Sequence, residues 1–351
     1  MEHLARQRRK NRMTLAALIA ALLLMLGAGV SWGAVDVSWG DLVIYLCSRV
    51  RSAGLGVLPP EKSIAFVIVW NLRLPRVILA GLVGSGLALA GAVFQALLRN
   101  PMADPHILGA SQGAALGACL AMLTGFKLGS STLWAVPAAA FAGAWVTVAL
   151  VYLLTQVEGR VPVLTLLLAG IAVGTFFSSL TALVIFFSGD KLHGVVYWLM
   201  GSFSGRNWDY VAMVFPYVVL GSGIILSMSR ELNLLVMGEE TAQHLGVATE
   251  KTKKILLAAA SLITAAAVSA SGVIGFVGLI VPHMVRLLVG ADHGILLPAA
   301  GLLGAIVLIG ADMAARLLMP PVELPVGAIT SLLGAPFFVY LLYRHRRQAL
   351  W

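Results

Sequence analysis

Charged residues are scarce in this chain of 351 residues, at 11% of the sequence, against about 25% in an average soluble protein. Hydrophobic residues reach 60%, where soluble domains have roughly 45–50%. The mean hydropathy is +0.94. This composition excludes an ordinary soluble protein and predicts a protein that lies in a membrane.

Acidic residues are missing from the middle of the apolar runs. Ion-driven carriers usually hold a carboxylate or a charge pair at membrane depth, because an ionisable group there is costly and is kept for a purpose. The absence disfavours a secondary carrier and a membrane-embedded acid–base enzyme. The Asp and Glu residues lie in tails, in loops or at the ends of runs, including Asp104, Glu158, Asp190, Asp209, Asp292 and Asp312.

Cysteine and histidine give no sign of a disulfide framework or a metal site. The two cysteines, Cys47 and Cys119, fall in a loop and in the middle of an apolar run, so we expect no bridge between them. None of the seven histidines lies in the middle of an uninterrupted run, and isolated loop histidines are more often solvated than metal-bound. We therefore expect no resident metal and no cofactor bound by this chain.

Ten apolar runs approach the length of about twenty residues that a helix needs to cross a bilayer. Seven are clear, and the seventh to ninth are short or interrupted. The first follows RQRRKNR and resembles a signal peptide, but it is long for a signal core and nine runs follow it, so we interpret it as a retained span. The predicted fold is an all-α polytopic membrane protein with one domain over 1–351. The ten runs are 13–32, 75–98, 107–123, 133–154, 163–187, 210–228, 255–270, 273–289, 295–309 and 326–343.

Lys and Arg fix the orientation, because they concentrate in the cytoplasmic loops of membrane proteins. With the N-terminus inside, most of the 24 Lys and Arg fall on the cytoplasmic side. They include basic residues in an N-terminal tail at 1–12 and a C-terminal tail at 344–351, so both termini are predicted to be cytoplasmic. The net charge of +9 is a topology signal and gives no reason to expect a nucleic-acid partner.

One segment has the spacing of a nucleotide-binding phosphate loop but lacks its chemistry. Gly56 to Ser63 reads GVLPPEKS, where Glu61 replaces the glycine that lets backbone amides approach phosphate. Pro59 and Pro60 remove two such amides altogether. The segment also falls on the outer side, so any ATP that powers this protein must be hydrolysed by another subunit.

Glycines recur at helical spacing inside the runs, as at Gly109, Gly113 and Gly117 and again at Gly170 and Gly174. Small residues at this spacing let helices approach closely in lipid. We therefore expect tight helix packing at these positions.

Two regions contain helix-breaking residues near the membrane. RNPMADPHILGASQG at 99–113 carries two prolines and an aspartate, and SGVIGFVGLIVPHMVRLLVGADH at 271–293 carries spaced glycines and then a proline. Broken helices at membrane depth are tolerated only where protein buries them or where they line a cavity, so we expect both to form a pathway wall. The weak similarity of LALAGAVFQAL to AVSASGVIGFVGL predicts an inverted repeat of spans 2–5 and 7–10.

The largest inner loop, at 230–254, is predicted to contain a short helix. Glu239 and Glu240 follow Gly238 and suit the first turn of a helix that ends near Gly246. A short cytosolic helix between two spans is suited to docking in the groove of a partner. The residues leave an ordinary solvated connector equally open.

Taken in order, several long motifs resemble one known family. They are RLPR with AGAVFQALLRNPMADPHILGASQGA, then MGEETAQHLGV, SGVIGFVGLIVPHMVRLLVGADH and ELPVGAITSLLGAPFFVYLL. They resemble the FecCD-type permeases, membrane subunits of bacterial ABC importers for iron–siderophore complexes, haem and vitamin B12. The resemblance covers nearly the whole chain. It implies ten helices, a homodimer in the cell membrane with one pathway at its interface, two cytoplasmic ATPase subunits and an outer substrate-binding protein.

The resemblance also implies roles for particular residues. Arg73, Arg76 and Arg316 would meet acidic residues of the binding protein, for which the planar guanidinium is suited; anchoring at the membrane interface is the alternative. Residues of the inner loop would contact the ATPase subunits, and two inner segments would form the pathway or its gate. The inner-loop residues are Gly238, Glu239, Glu240, Ala242, Leu245 and Gly246, and the gate residues are Asn100, Pro101, Met102, Pro162, Val163 and Leu164.

The substrate is the least determined expectation. We expect an iron–siderophore complex because it is the commonest substrate of the family, with haem and cobalamin as alternatives within the same importer class. An ion-coupled secondary carrier is the alternative of another class, and it would transport without any ATPase subunit.

Overall fold

The structure is a computed structural model that describes residues 2–33, 40, 64–128, 134–156 and 161–348. Several predicted features lie outside the described residues. These are the outer loop around Cys47, the segment from Gly56 to Ser63, Glu158, and the last residues of the C-terminal tail, 349–351.

The described residues fold almost entirely into helices. Ten apolar helices correspond in order to the ten predicted runs, three short helices lie between them, and a further helix of four residues, Ile64–Val67, precedes the second apolar helix. A π-helical turn at Ile68–Arg73 leads directly into α2. The helices are α1 Glu2–Ser31, α2 Leu74–Leu97, α3 Ala110–Thr124, α4 Ala135–Thr155, α5 Val163–Phe186, α6 Leu192–Leu199, α7 Trp208–Ser227, α8 Ser229–Met237, α9 Glu239–His244, α10 Thr249–Ser271, α11 Val277–Val289, α12 His293–Leu317 and α13 Val326–Gln348.

Helix length corrects part of the span prediction. Seven helices of the described chain are long and apolar enough to cross a membrane, and α3, α11 and the apolar part of α13 are shorter. The seventh and ninth spans were expected to be short, but α10 has 23 residues and α12 has 25. The prediction was wrong for α12 because its last turns contain Asp312 and Arg316, whose charges pair inside the protein. The number ten therefore holds for apolar helices and is not established for complete crossings.

Helices α2 and α10 lie at the centre of the protein, and the other helices pack around them. In the most apolar stretches of α2 and α10, 78% of the residues are buried inside the protein, compared with 17% in α5 and 11% in α1. Helix α2 packs against α7, α10, α11 and α12. The exposed apolar faces of α1 and α5 are therefore available to lipid or to a partner chain.

Glycines permit the closest helix contacts, as their spacing predicted. A Cβ at Gly113 would overlap the backbone of Gly143 in α4, and one at Gly170 would overlap the Ile107 carbonyl. Between α2 and α11, Gly91 lies against the backbone of Gly278. Close packing at small residues is what helices use in lipid, and this prediction is confirmed.

The two helix breaks lie against each other. His106, in the 3₁₀ turn before α3, has its Nε2 atom 3.0 Å from the carbonyl oxygen of Ile274, in the break before α11. Gln95 Nε2 reaches Gly278 O at 3.5 Å and Leu279 O at 3.0 Å. Pro282 has no N–H to bond the carbonyl four residues earlier, so Gln95 supplies a donor that α11 lacks.

The order of elements is the same in the two halves that were predicted to be inverted repeats. In each half a long central helix, α2 or α10, is followed by a break and a short helix, α3 or α11. Two further helices follow, α4 and α5 in the first half, α12 and α13 in the second. Five apolar helices, α2 to α5 and α7, lie between the start of the first half and the start of the second. Five crossings would place those two starts on opposite sides of the membrane, as the predicted inverted repeat requires.

Candidate functional site

Four charged side chains form an outer ionic cluster, consisting of Arg76, Asp312, Arg316 and Glu323. Arg76 Nε donates to Asp312 Oδ1 at 2.9 Å, and Arg76 Nη1 donates to Glu323 Oε2 at 2.9 Å. Arg316 Nε lies 3.2 Å from Asp312 Oδ2. Asp312 is 1% exposed, so its charge is balanced by two guanidinium groups instead of by water.

The arginines near this cluster also hold the end of α1. Arg73 Nη1 donates to the carbonyl oxygens of Val30 and Ser31, and Arg316 Nη2 donates to that of Gly29. The last four carbonyl oxygens of a helix receive no hydrogen bond from within the helix. Cations stabilise that end because the helix dipole makes it negative. The arginines therefore fix the position of α1 against α2 and α12.

The structure shows where each predicted docking arginine lies. It brings Arg76 and Arg316 together on either side of Asp312, and it directs Arg73 to α1 instead. Arg73 and Arg76 are only 7% and 8% exposed. Their role in binding an outer partner stays a prediction. Sequence reasoning missed their intramolecular acceptors; only the i, i+4 spacing of Asp312 and Arg316 was an available signal.

The predicted short helix of the inner loop is present as α9. Two glycines with positive φ bracket it: Gly238 at +132° and Gly246 at +86°. Side chains other than glycine rarely adopt this backbone, so both ends of α9 are defined by the sequence. Met237 and Leu245 are 68% and 56% exposed, which leaves two large apolar side chains on the surface beside α9.

Not every predicted contact residue of this loop is accessible. Ala242 is fully buried, and its carbonyl oxygen accepts from Val247 N at 2.9 Å. Glu239 is partly buried, and Glu240 is exposed. The expectation that the Ala242 side chain contacts a partner is therefore corrected: it packs inward and supports α9.

A buried lysine joins α9 to the start of α5. Lys253, on α10, is 6% exposed, and its Nζ atom lies 3.0 Å from Glu239 Oε2. The same ammonium pairs with Glu250 and lies 3.5 Å from the Val161 carbonyl oxygen. The Val161 N–H in turn donates to Glu250 Oε2 at 3.3 Å. Because Pro162 follows at once and caps α5, this lysine link connects the inner loop to a predicted gate segment.

The other predicted gate segment is joined to the inner loop as well. Arg99 Nε donates to the Leu235 carbonyl oxygen of α8 at 3.2 Å. The turn that follows is closed by Asn100, whose Oδ1 accepts from Met102 N at 2.9 Å. Thus the turn at Asn100, Pro101 and Met102 moves with α8 if this bond is kept.

A second set of bonds anchors α8 to the beginning of α12. Asn233 Nδ2 donates to Asp292 Oδ1 at 2.8 Å, and Asn233 Oδ1 accepts from His293 N at 2.9 Å. Asp292 also caps α12 by accepting from Gly294 N. The hydrogen bond from Asn233, followed by that from Gly294, holds the pKa of the Asp292 carboxyl below its usual value. The inner loop is thus fixed to the membrane domain at α2, α10 and α12.

The accessible gate residues lie at or just beyond helix ends that are predicted to face the cytoplasm. Met102 is 41% exposed and Leu164 is 68% exposed, while Pro101 and Pro162 are also exposed. Between the two helix breaks and α5 lies a cavity of about 490 Å³, lined by His106, Gln112 and other residues. The breaks therefore border open space, as a pathway wall would.

The chain is similar over nearly its whole length to one family and to several characterised relatives. The model of the FecCD transport family matches residues 4–344. A cobalamin import system permease of Halobacterium salinarum is 46% identical over 336 residues, covering 95% of this chain and 89% of that protein. A hemin transport system permease of Yersinia pestis is 39% identical over 326 residues, covering 88% of this chain and 95% of that protein.

An Escherichia coli protein and a solved structure extend the likeness. The Fe(3+) dicitrate transport system permease FecD is 38% identical over 320 residues, covering 87% of this chain and 99% of that protein. The solved structure, described as an inward-facing conformation of a metal-chelate type ABC transporter, gives a TM-score of 0.81 at 34% identity and covers 94% of this chain and 98% of that one. This chain belongs to the FecCD transport family and is an ABC importer permease.

Proposed function

We propose that this chain forms, with a second copy of itself, the membrane pathway of an ATP-driven importer of metal chelates. Two cytoplasmic ATPase subunits would power it, and an extracytoplasmic binding protein would deliver the substrate. The observation that carries the proposal is the inner loop: a short helix with exposed apolar neighbours, bonded to both predicted gate segments. The protein would lie in a bacterial cell membrane with both termini in the cytoplasm, as its basic residues predict.

The surface around α9 is the proposed contact with an ATPase subunit. Met237 and Leu245 present large apolar side chains next to the exposed carboxylate of Glu240. An apolar anchor with a polar rim suits a helix that docks in a groove. Gly238 and Gly246 fix where the helix begins and ends. The helix can therefore move as a rigid body when the ATPase subunit moves.

The lysine link, formed by Lys253 with Glu239 and the Val161 backbone, would transmit the movement of α9 to α5. A movement of α9 displaces the Glu239 carboxylate, and Lys253 must follow it or lose one of its two carboxylate partners. Because the ammonium of Lys253 is buried, water does not readily replace that partner. Movement of Lys253 together with the Val161 backbone is less costly, and Pro162 and the exposed Leu164 then move with α5.

The outer ionic cluster is the proposed contact with the binding protein. Glu323 is the most exposed member of the cluster, with 35% of its side chain accessible, and it occupies an edge of the Arg76 guanidinium. An acidic residue of the binding protein would compete with Glu323 for that edge. Docking at Arg76 therefore involves an exchange of carboxylate partners, with Asp312 staying in place. Arg73 and Arg316 keep their bonds to the end of α1 and add positive charge beside Arg76.

For the substrate, an iron–siderophore complex is proposed, and cobalamin is the second candidate. The relatives are named for cobalamin, hemin and iron-citrate import, so the class shared by these names is a metal chelate. The 46% identity to the cobalamin permease is the observation that favours cobalamin.

Uptake by reconstituted vesicles tests the proposal. The chain is co-purified with its ATPase subunit, placed in liposomes with the binding protein outside, and given a radiolabelled ferric siderophore, haem or cobalamin. ATP-dependent accumulation of one chelate identifies the substrate. Accumulation that needs no ATP and is abolished by an uncoupler would instead establish a secondary carrier.

A further inference from the structure

A second polar cavity lies at the outer ends of several helices, away from the ionic cluster. Its volume is about 290 Å³, and α3, α4, α6, α7 and α10 all contribute residues. We call it the outer cavity; its polar lining residues include Tyr197, Trp198, Ser202, Arg206, Tyr210 and Ser271. Of the described residues that line it, none is acidic.

Two hydrogen-bond donors at the outer cavity have no partner among the described residues. Arg206 Nε is buried without a hydrogen-bond partner, and so is Nε1 of Trp198, a side chain only 7% exposed. No carboxylate pairs with Arg206 within the described chain. Buried polar N–H groups normally have partners, and a guanidinium out of water needs an anion or a ring to offset its desolvation.

A tyrosine ring offsets part of that cost and orients the guanidinium. The Arg206 guanidinium carbon lies 4.3 Å from the centre of the Tyr210 ring, which covers one face of the group. The Tyr210 side chain also hydrogen-bonds the guanidinium, and the Nε atom is left without a partner. The hydroxyl groups nearby are already engaged, because Ser202 Oγ pairs with Tyr197 OH and accepts from Ser204 N.

The loop that carries Arg206 is held rigidly. Ser202 N donates to Ser271 O at 2.7 Å at the end of α10, and Gly201 O accepts from Val326 N at 2.9 Å at the start of α13. Arg206 N donates to Phe203 O within the loop. The donors are therefore positioned before any ligand arrives, which reduces the entropy lost on binding.

We propose that the outer cavity binds a carboxylate group of a small organic acid. The planar fork of arginine matches a carboxylate through two parallel N–H bonds, and the indole N–H of Trp198 supplies a further donor. The site needs only the permease chain, so it stands apart from the proposed transport function. A free acid and an iron-bound acid offer the same group, and both are tested.

Equilibrium binding to the full chain in nanodiscs of zwitterionic lipid tests the proposal, with citrate, ferric citrate and inorganic phosphate as probes. The variants are Arg206→Gln, which removes the fork, and Trp198→Phe, which removes only the indole N–H. Lys191→Gln is the control, since it removes one exposed cation from the outer side.

We expect saturable binding of citrate, of ferric citrate or of both; the probe that binds identifies the source of the carboxylate. Affinity should fall about tenfold or more in Arg206→Gln and severalfold in Trp198→Phe, and stay unchanged in Lys191→Gln. Three results would overturn the proposal: no saturable binding, equal weakening by Lys191→Gln, or phosphate binding at least as tightly as citrate. If Arg206→Gln does not fold, an unchanged affinity in Trp198→Phe overturns it too.

Discussion

Two buried charged side chains of this protein, Asp312 and Lys253, each lie between two groups of opposite charge, with which they form a set. Asp312 lies between Arg76 and Arg316, and Lys253 lies between Glu239 and Glu250. Each set joins elements that are distant in sequence. Removing one member leaves a charge without its partner in a dry environment, which costs more than the set contributes to stability.

The residue-scale prediction concerns Asp312. The change Asp312→Asn keeps the shape of the side chain but leaves two guanidinium groups close together with Glu323, on Arg76, as their remaining carboxylate partner. We expect the free energy of unfolding to fall by about 3 kcal/mol, seen as a lower midpoint of thermal unfolding in detergent. Asp190→Asn, at an exposed outer position, is the control. Equal midpoints for the two variants would show that the cluster does not stabilise the fold.

Single residues were predictable from sequence to different degrees. Gly238 and Gly246 were placed at the ends of the inner helix because their backbone requirement is local. The acceptors of Arg73 and Arg76 were missed, since the carbonyls of α1 and the carboxylate of Glu323 come close only through tertiary packing. The burial of Ala242 was not predicted because a helix of six residues has fewer than two turns, which is too short for a hydrophobic pattern to show which face is buried.

At the scale of elements, small residues determine how closely the helices approach. Helix α2 meets α11 at Gly91 and α12 at Gly84, each against the backbone of a glycine. These contacts bring main chains together where a side chain would separate them. The central position of α2 follows from this property.

The first element-scale prediction compares two glycine substitutions. Gly91→Ala places a methyl group against the Gly278 carbonyl, and overpacking of this kind costs roughly 1–3 kcal/mol. Gly223→Ala, on α7, meets no atom within 4 Å and should be neutral or stabilising, since alanine favours helix. The midpoints of thermal unfolding separate the two, and a Gly91→Ala variant as stable as Gly223→Ala contradicts the packing account.

The second element-scale prediction concerns the lysine link between α9 and α5. In Lys253→Met we expect the ATPase subunit to remain bound and to hydrolyse ATP, while transport per ATP falls severalfold because α5 no longer follows α9. Lys253→Arg should restore part of the coupling, and Lys251→Met, at an exposed position on the same helix, should behave as the native protein.

The ratio of transported substrate to hydrolysed ATP is the measurement that decides this prediction. An unchanged ratio in Lys253→Met would contradict the link, while failure of the ATPase subunit to bind the native chain would contradict the proposed function itself.

Helix positions were largely predictable because each apolar run is long compared with the turns between runs. Two of the exceptions have physical causes that the structure shows. Helix α3 begins only after Gly109, whose φ of +77° ends the preceding turn, and α12 runs on past the predicted end because Asp312 and Arg316 pair within it. The lysine link joins residues 92 positions apart, a separation at which local patterns carry no information.

At the scale of the whole molecule, the two ends of the helices carry different surfaces. The end predicted to lie outside carries a charge-balanced cluster with one partly exposed carboxylate, and the end predicted to lie inside carries a short helix with exposed apolar side chains. Charged surfaces steer and select partners, whereas apolar anchors supply more of the affinity. A transient binding protein outside and a stable ATPase subunit inside fit this difference.

The whole-molecule prediction on the outer side concerns Glu323. If an acidic residue of the binding protein must displace Glu323 from Arg76, then Glu323→Gln should tighten binding of that protein severalfold. Asp190→Asn removes an exposed outer carboxylate elsewhere and should leave the affinity unchanged. Surface plasmon resonance on nanodiscs measures both, and weaker binding by Glu323→Gln would show that its carboxylate contacts the binding protein directly.

ATP hydrolysis in proteoliposomes tests most directly the claim that this chain couples an ATPase inside to a binding protein outside. The permease and ATPase subunit are reconstituted together, with and without the binding protein, for the native chain and for Leu245→Asp at the exposed edge of the inner helix. The account predicts that the binding protein stimulates hydrolysis by the native complex and that Leu245→Asp loses both the stimulation and the bound ATPase subunit. An ATPase subunit that neither co-purifies with the native chain nor responds to the binding protein would contradict it.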